Sequence, residues 1–324
     1  MSASVPAVSS PGSPRTLADL PAGLRWLIRL LSAAAVAASL VYLALFARRN
    51  AAALPPLAWS GAAVATAGAL LLYLATLVNA AFAWNLLLRS LGEPSRAGWA
   101  VPVHLLSQVG KYLPGNVGHY VGRVALAARA GLRAPSVVLT LAMEAVGSLS
   151  VGAVLAAATW TPPAGPFAHR GLLAAAILLA LAATSTLAWH VGRRAAAAEP
   201  SQPLSARRRT LLWLAALALY ALGFVFQGTA AMLVAHSLFG VAWTSFPALA
   251  GLYTAAWAAG FLVPGAPAGL GVREAVLVSG LGPLSGPGVA LALPLVMRLV
   301  TTVGDGLGFA LGAALRRERK GGGA

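Results

Sequence analysis

The chain has 324 residues, of which 59% are apolar and only 9% charged, with a mean hydropathy of +0.80. A soluble domain keeps about a quarter of its residues charged to build a wet surface, so lipid must be the solvent for most of this chain. No cysteine is present, which excludes disulfides, thiolate metal sites and cysteine nucleophiles.

The net charge is +16, and 21 of the 23 basic residues are arginine. In a soluble protein this balance would point to nucleic acid. Here most arginines flank apolar runs, where they meet anionic headgroups and set orientation. No basic, aromatic-bearing soluble module is present, so no nucleic-acid partner is expected. The five histidines are scattered without helical pairing, so neither a metal site nor any other cofactor is expected.

In chain order, residues 1–24 are rich in Ser, Pro and Ala and are expected to form a disordered cytoplasmic tail. A transmembrane domain is expected over 25–315, followed by a basic cytoplasmic tail at 316–324. Apolar stretches long enough to cross about 30 Å of hydrocarbon fall near 28–47, 58–87, 136–159, 171–191, 210–235 and 287–314. The first reads as an uncleaved span rather than a signal peptide, because the leader before it is long and more spans follow.

Two further apolar regions, 99–131 and 244–283, are interrupted at Pro114-Gly115 and Pro264-Gly265. Proline removes an amide donor and glycine frees the backbone, so each helix is expected to stop there. The flanking limbs are mostly too short to span, which reads as a pair of re-entrant hairpins. Non-helical backbone at that depth needs protein or a watery cavity to satisfy it. The expected fold is therefore all-α and polytopic, with about six spanning helices and two re-entrant helical hairpins. Placing the arginine-rich tails and the 88–98 and 192–209 loops on the cytoplasmic side puts both termini inside. The hairpins then enter from opposite faces of a cell membrane.

The two breaks are 150 residues apart, and each proline is followed nine positions later by an arginine, Arg123 and Arg273. The flanking spans obey the offset approximately. The chain therefore reads as two repeats, about 25–165 and 166–315, related by an in-plane pseudo-two-fold. Inverted repeats with matched broken helices point to a transport site near the bilayer midplane.

Lys111, Arg123, Glu144, Arg273, Glu274, Arg298 and Asp305 lie in or beside apolar runs. Unpaired at the bilayer centre, they would together cost roughly 17–25 kcal/mol on insertion scales, so they must pair, hydrate or meet a charged ligand. Glu144, Arg298 and Asp305 suit a buried polar network, with a helix-holding ion-pair cluster as the plain alternative. Lys111, Arg123 and Arg273 sit at the broken points, where half-helix amides and the dipole favour anions, and arginine suits bidentate phosphate contact. Snorkelling to the interface is the plain alternative for each arginine. Asn116, His119 and Tyr120 could add hydrogen bonds to the first cradle. Glu274 either neutralises Arg273 or recognises a cationic headgroup.

At SQVGKYLPGNVGHYVGR (107–123) and PGAPAGLGVREAVL (264–277) the chain resembles the lysylphosphatidylglycerol synthase transmembrane-region family of flippase-like membrane proteins. In that family the membrane region is associated with moving aminoacylated phosphatidylglycerol between leaflets, and relatives are linked to other lipid or polyprenyl-linked substrates. The resemblance implies anion-binding roles for Lys111, Arg123, Arg273 and Glu274. Full-length synthases add a soluble aminoacyl-transfer domain, whereas here the chain ends in RRERKGGGA, so synthase activity is not expected. A separate lipid-modifying enzyme is then a candidate partner. The expected function is movement of an anionic lipid between leaflets. The alternatives are an enzyme or enzyme subunit acting on a phospholipid, with Asp305, Glu144 or His119 as its acid-base candidates, and a non-transporting scaffold.

Overall fold

The structure, a computed structural model, describes residues 59–112, 117–160, 204–263 and 267–321, with positions 41, 45 and 48 besides. The spans expected near 28–47 and 171–191, the N-terminal tail, the helix breaks Pro114, Gly115, Pro264 and Gly265, and the cradle residue Asn116 fall outside those runs. The described residues are almost entirely helical, as a chain solvated by lipid requires, since helices satisfy their own backbone groups. The described runs form seven α-helices: α1 (Trp59–Ser90), α2 (Ala97–Ser107), α3 (Gly118–Ala128), α4 (Ala134–Thr159), α5 (Ala206–Phe239), α6 (Phe246–Leu262) and α7 (Val272–Gly321). Short 3-10 turns at Gln108–Tyr112, Trp243–Ser245 and Pro267–Gly269 join them.

The helix limits follow local sequence. The Ser205 side chain caps α5 by accepting from the Arg208 amide, and α5 stops at Gly240, which takes a left-handed φ of 69°. Proline lies in the first turn of α4 and of α6, where its missing amide is harmless. Inside α7, prolines 283 and 287 flank Gly286, whose φ of 81° bends the long helix there.

Among the described residues, five helical segments are long and apolar enough to cross a bilayer: Gly61–Ser90, Ala134–Thr159, Ala206–Phe239, Trp243–Leu262 and Val272–Arg317. The fourth covers the first limb of the second expected hairpin, and its length suits a crossing rather than re-entry. Pro247 falls in the first helical turn, and the 3-10 turn at Trp243 lengthens the apolar segment to 20 residues. By contrast α2 and α3 have 11 residues each, about 16 Å of helix, and cannot span singly.

Association of these helices uses small residues, as expected where lipid removes the hydrophobic drive between helices. α1 runs against α5 along most of its length, and a Cβ on Gly68 would come within 2.7 Å of Leu233. Gly312 of α7 receives Leu105 and the Pro102 carbonyl of α2, while Gly251 of α6 receives Thr159 and Trp160 at the end of α4. These pairings come in sets matched by the 150-residue offset: α2 lies on late α7, and α6 lies on α4. The main apolar cluster runs from Ala65, Ala69 and Leu77 of α1 through Ala230 and Val234 of α5 to Leu252, Leu293 and Met297. Val64, Leu71, Leu211, Leu222, Val303 and Leu307 point outward and are exposed, as a lipid-facing surface would be.

Candidate functional site: a charged cavity among the helices

All seven helices contribute to one cavity of about 170 Å³. By that measure a water takes about 10–15 Å³, so there is space for a small headgroup with its hydration. The wall has apolar stretches at Leu77, Ala80, Phe224, Trp257 and Phe261. The rest is polar, and its charges fall into three groups.

The first group is built on the α2–α3 hairpin. Arg123 is fully buried and makes a bidentate pair with Glu144 of α4, Nη1 to Oε2 at 2.6 Å and Nη2 to Oε1 at 2.8 Å. The guanidinium lies 5.2 Å from the Trp84 ring and 5.2 Å from the Tyr120 ring, a cation–π sandwich. His104 Nδ1 sits 3.3 Å from Nη1. His119 packs on Tyr120 with ring centroids 3.9 Å apart, and its Nδ1 is shielded without a hydrogen-bond partner among the described residues. The hairpin is tight because Gly110 has no side chain: a Cβ there would lie 2.5 Å from the His119 amide nitrogen.

The second group centres on Asp305 of α7. One oxygen accepts from the Tyr73 hydroxyl at 2.7 Å and from Lys111 Nζ at 2.8 Å. The other accepts from the Tyr112 hydroxyl and contacts Lys111 Nζ, each at 2.7 Å. Gly304 makes room for the Tyr73 ring, since a Cβ there would come within 2.3 Å of it.

The third group surrounds the start of α7. Glu274 Oε2 accepts from the Gly271 amide at 2.7 Å, which caps the helix from its third residue. Its other oxygen lies 3.8 Å from Arg298 Nη1. Arg298 also donates to the Ala268 carbonyl at 3.0 Å. Ala268 is the one non-glycine residue of positive φ, 50°, among the described residues, a conformation that presents this carbonyl at a strained backbone position. Arg273 is half-buried, with its stem between Gly260 and Gly269: a Cβ on Gly260 would lie 2.6 Å from Arg273 Cγ. It has no carboxylate within 4.0 Å among the described residues, and its shielded Nε has no hydrogen-bond partner there.

Of the residues singled out from sequence, Lys111, His119, Tyr120, Arg123 and Arg273 reach the cavity. So do Glu144, Arg298 and Asp305, but not as one ion-pair network: Glu144 is taken by Arg123 and Asp305 by Lys111. Glu274 lines a smaller neighbouring cavity of about 20 Å³, shared with Arg273 and Arg298. Tyr73, Tyr112, His104 and Gln108 also line the main cavity and escaped the sequence reading, as did Tyr220, Asn79 and Gln227. The repeat held a signal for some of them: an offset of 147 pairs Tyr73 with Tyr220, and one of 148 pairs Asn79 with Gln227.

Long apolar helices packed through glycines around a charged interior cavity define a multi-pass α-helical membrane protein. Within that class, residues 26–307 match the model of the lysylphosphatidylglycerol synthase transmembrane region, and the chain belongs to that family. No curated protein matches the chain significantly.

Proposed function

We propose that this protein is a lipid transporter that moves an anionic lipid, carrying a phosphate headgroup or a polyprenyl-linked phosphate, between the leaflets of the cell membrane. The observation that carries the reading is the cavity's charge. Lys111, Arg123, Arg273 and Arg298 supply four cations, Glu144, Glu274 and Asp305 three carboxylates, so a positive charge is left over with histidines counted as neutral. A buried uncompensated cation is expensive, and an anionic ligand would relieve it. The matched pairing of α2 with α7 and of α6 with α4 supports the inverted repeat. The shortness of α2 and α3 supports re-entry of the first hairpin, with both termini cytoplasmic. Transport is favoured over lipid chemistry because Glu144 and Asp305, two of the three acid-base candidates, are each engaged by a cation, and the third, His119, has no carboxylate within 4.0 Å to orient it among the described residues.

The test is a leaflet-exchange assay in proteoliposomes with headgroup-labelled phosphatidylglycerol and a membrane-impermeant reagent. The expected result is exchange well above protein-free liposomes that falls about tenfold or more in Arg273→Gln, with the variant still folded. Equal exchange in wild type, Arg273→Gln and empty liposomes would remove the proposal.

A further inference from the structure

The small cavity beside the main one has a volume of about 20 Å³, and its polar wall is formed by Tyr253, Arg273, Glu274, Arg298 and Thr301. By the measure in which a water takes about 10–15 Å³, it holds one occupant of about water size. Its charges do not balance. Two guanidinium groups share a single carboxylate, Glu274, which already accepts from the Gly271 amide and lies 3.8 Å from Arg298 Nη1. Arg298 Nη1 is engaged by the Ala268 carbonyl. Nε and Nη2, which form the other edge of that guanidinium, are shielded and without partners among the described residues, as is Nε of Arg273. Arg298 is buried, so bulk water does not solvate the vacant edge. Such an edge is a rigid fork of parallel N–H donors that suits an anion.

We infer that the small cavity is a halide site, in which one chloride ion accepts from the Nε–Nη2 edge of Arg298 and offsets the excess charge that Arg298 shares with Arg273. Size excludes larger anions, since a carboxylate or a phosphate group is several atoms across. Charge separates chloride from water. A water could accept from the same donors, yet it would leave a buried cation uncompensated, which is expensive in a low-dielectric interior. A monoanion leaves the two arginines and Glu274 neutral as a set. The count is local to this cavity: Arg123 and His119, whose Nε and Nδ1 also lack partners among the described residues, line the main cavity and not this one. The site needs no lipid, so it goes beyond the transport reading and stands without it. It also bears on that reading. Arg273 and Arg298 border both cavities, so an anionic headgroup that engages them from the main cavity competes with the halide.

The experiment is a halide titration of the purified full-length protein in detergent, without added lipid, in which chloride or bromide replaces bulky gluconate at constant ionic strength. One readout is the unfolding midpoint, which rises with any ligand that binds only the folded state. The other is broadening of the chloride NMR line by the protein. The expected result is a saturable rise of the midpoint with either halide, a broadened chloride line that sharpens when bromide is added, and loss of both effects in Arg298→Met. Glu274→Gln should bind chloride about tenfold more tightly, because it removes the opposing charge and keeps an acceptor for the Gly271 amide. That variant carries the test if Arg298→Met does not fold. A midpoint and a line indifferent to halide would mean that water fills the cavity, and would overturn the proposal. A halide effect unchanged in both variants would place the ion elsewhere and overturn it equally. Either failure leaves leaflet exchange of phosphatidylglycerol untouched, and absence of exchange leaves halide binding untouched, so the two readings fail separately.

Discussion

The two hairpins carry the same sequence device, a Pro-Gly break with an arginine nine residues after the proline, yet their arginines differ in kind. Arg123 is held by Glu144, Trp84, Tyr120 and His104, partners drawn from α1, α2, α3 and α4. Arg273 is held by shape, its stem passing between two glycines with no carboxylate attached among the described residues. The two regions thus share a sequence motif, while the helices packed around each arginine decide its electrostatics. Glu144 lies on α4, and its counterpart 150 positions later is Pro294 of α7, so no acid stands at the equivalent place. The first arginine is tied to a carboxylate, and the second has none within 4.0 Å among the described residues.

The largest expected effect tests the first half of that contrast. Glu144→Gln strands the Arg123 guanidinium in a buried site, and removing one partner of such a pair costs about 3–5 kcal/mol. The midpoint of thermal unfolding in detergent should fall accordingly, and replacing both partners with apolar residues should recover part of the loss. An unchanged midpoint in the single variant would mean that cavity water already solvates Arg123, and the two hairpins would no longer differ.

Asp305→Asn should come next, at about 2–3 kcal/mol, because Lys111 keeps 19% side-chain exposure and can hydrate from the cavity. Unfolding measurements on the Asp305→Asn, Lys111→Met and double variants would close a mutant cycle. Coupling near zero would show that the pair is incidental. Gly260→Ala should cost about 1–3 kcal/mol through overpacking, since the new Cβ would meet Arg273 Cγ at 2.6 Å. It should also weaken binding of phosphatidylglycerol, because the arginine must move. Unchanged binding would show that Arg273 is not seated between the two glycines.

The class of the fold was legible from composition, since lipid solvation leaves few charges and long apolar runs. The positions of Lys111, Arg123, Arg273 and Asp305 were legible because intramembrane charge is expensive wherever it occurs. Their pairing was not. Arg298 and Asp305 share a helix face by spacing, yet Asp305 is met by Lys111 from the first hairpin, across 194 residues of chain. Hydropathy carries no information on which spans meet. Tyr73 and Tyr112, two donors to Asp305, were hidden for a further reason: a tyrosine in an apolar run reads as an interface residue until a buried acceptor is known. The role of α6 was hidden because the Pro264-Gly265 break drew it into a hairpin, although its apolar segment with the preceding turn is 20 residues long.

The smallest expected effect concerns the turn that orients the second hairpin. Ala268 has φ 50° and ψ 26°, a region that costs an L-residue with a Cβ about 1–2 kcal/mol and glycine almost nothing. Ala268→Gly removes that strain, and the greater freedom of glycine in the unfolded chain offsets about 0.5–1 kcal/mol of the gain. The net expectation is stabilisation of under about 1 kcal/mol, visible as a small upward shift of the unfolding midpoint. The Ala268 carbonyl should still accept from the Arg298 guanidinium, because residue 268 contributes only its backbone to the hydrogen bond, so binding of phosphatidylglycerol should survive. A stabilised variant that loses that binding would mean that the alanine methyl group, not the carbonyl, holds Arg298 in place. The contrast between a hairpin tied by charge and a hairpin shaped by backbone would then have to be redrawn around side-chain packing at residue 268.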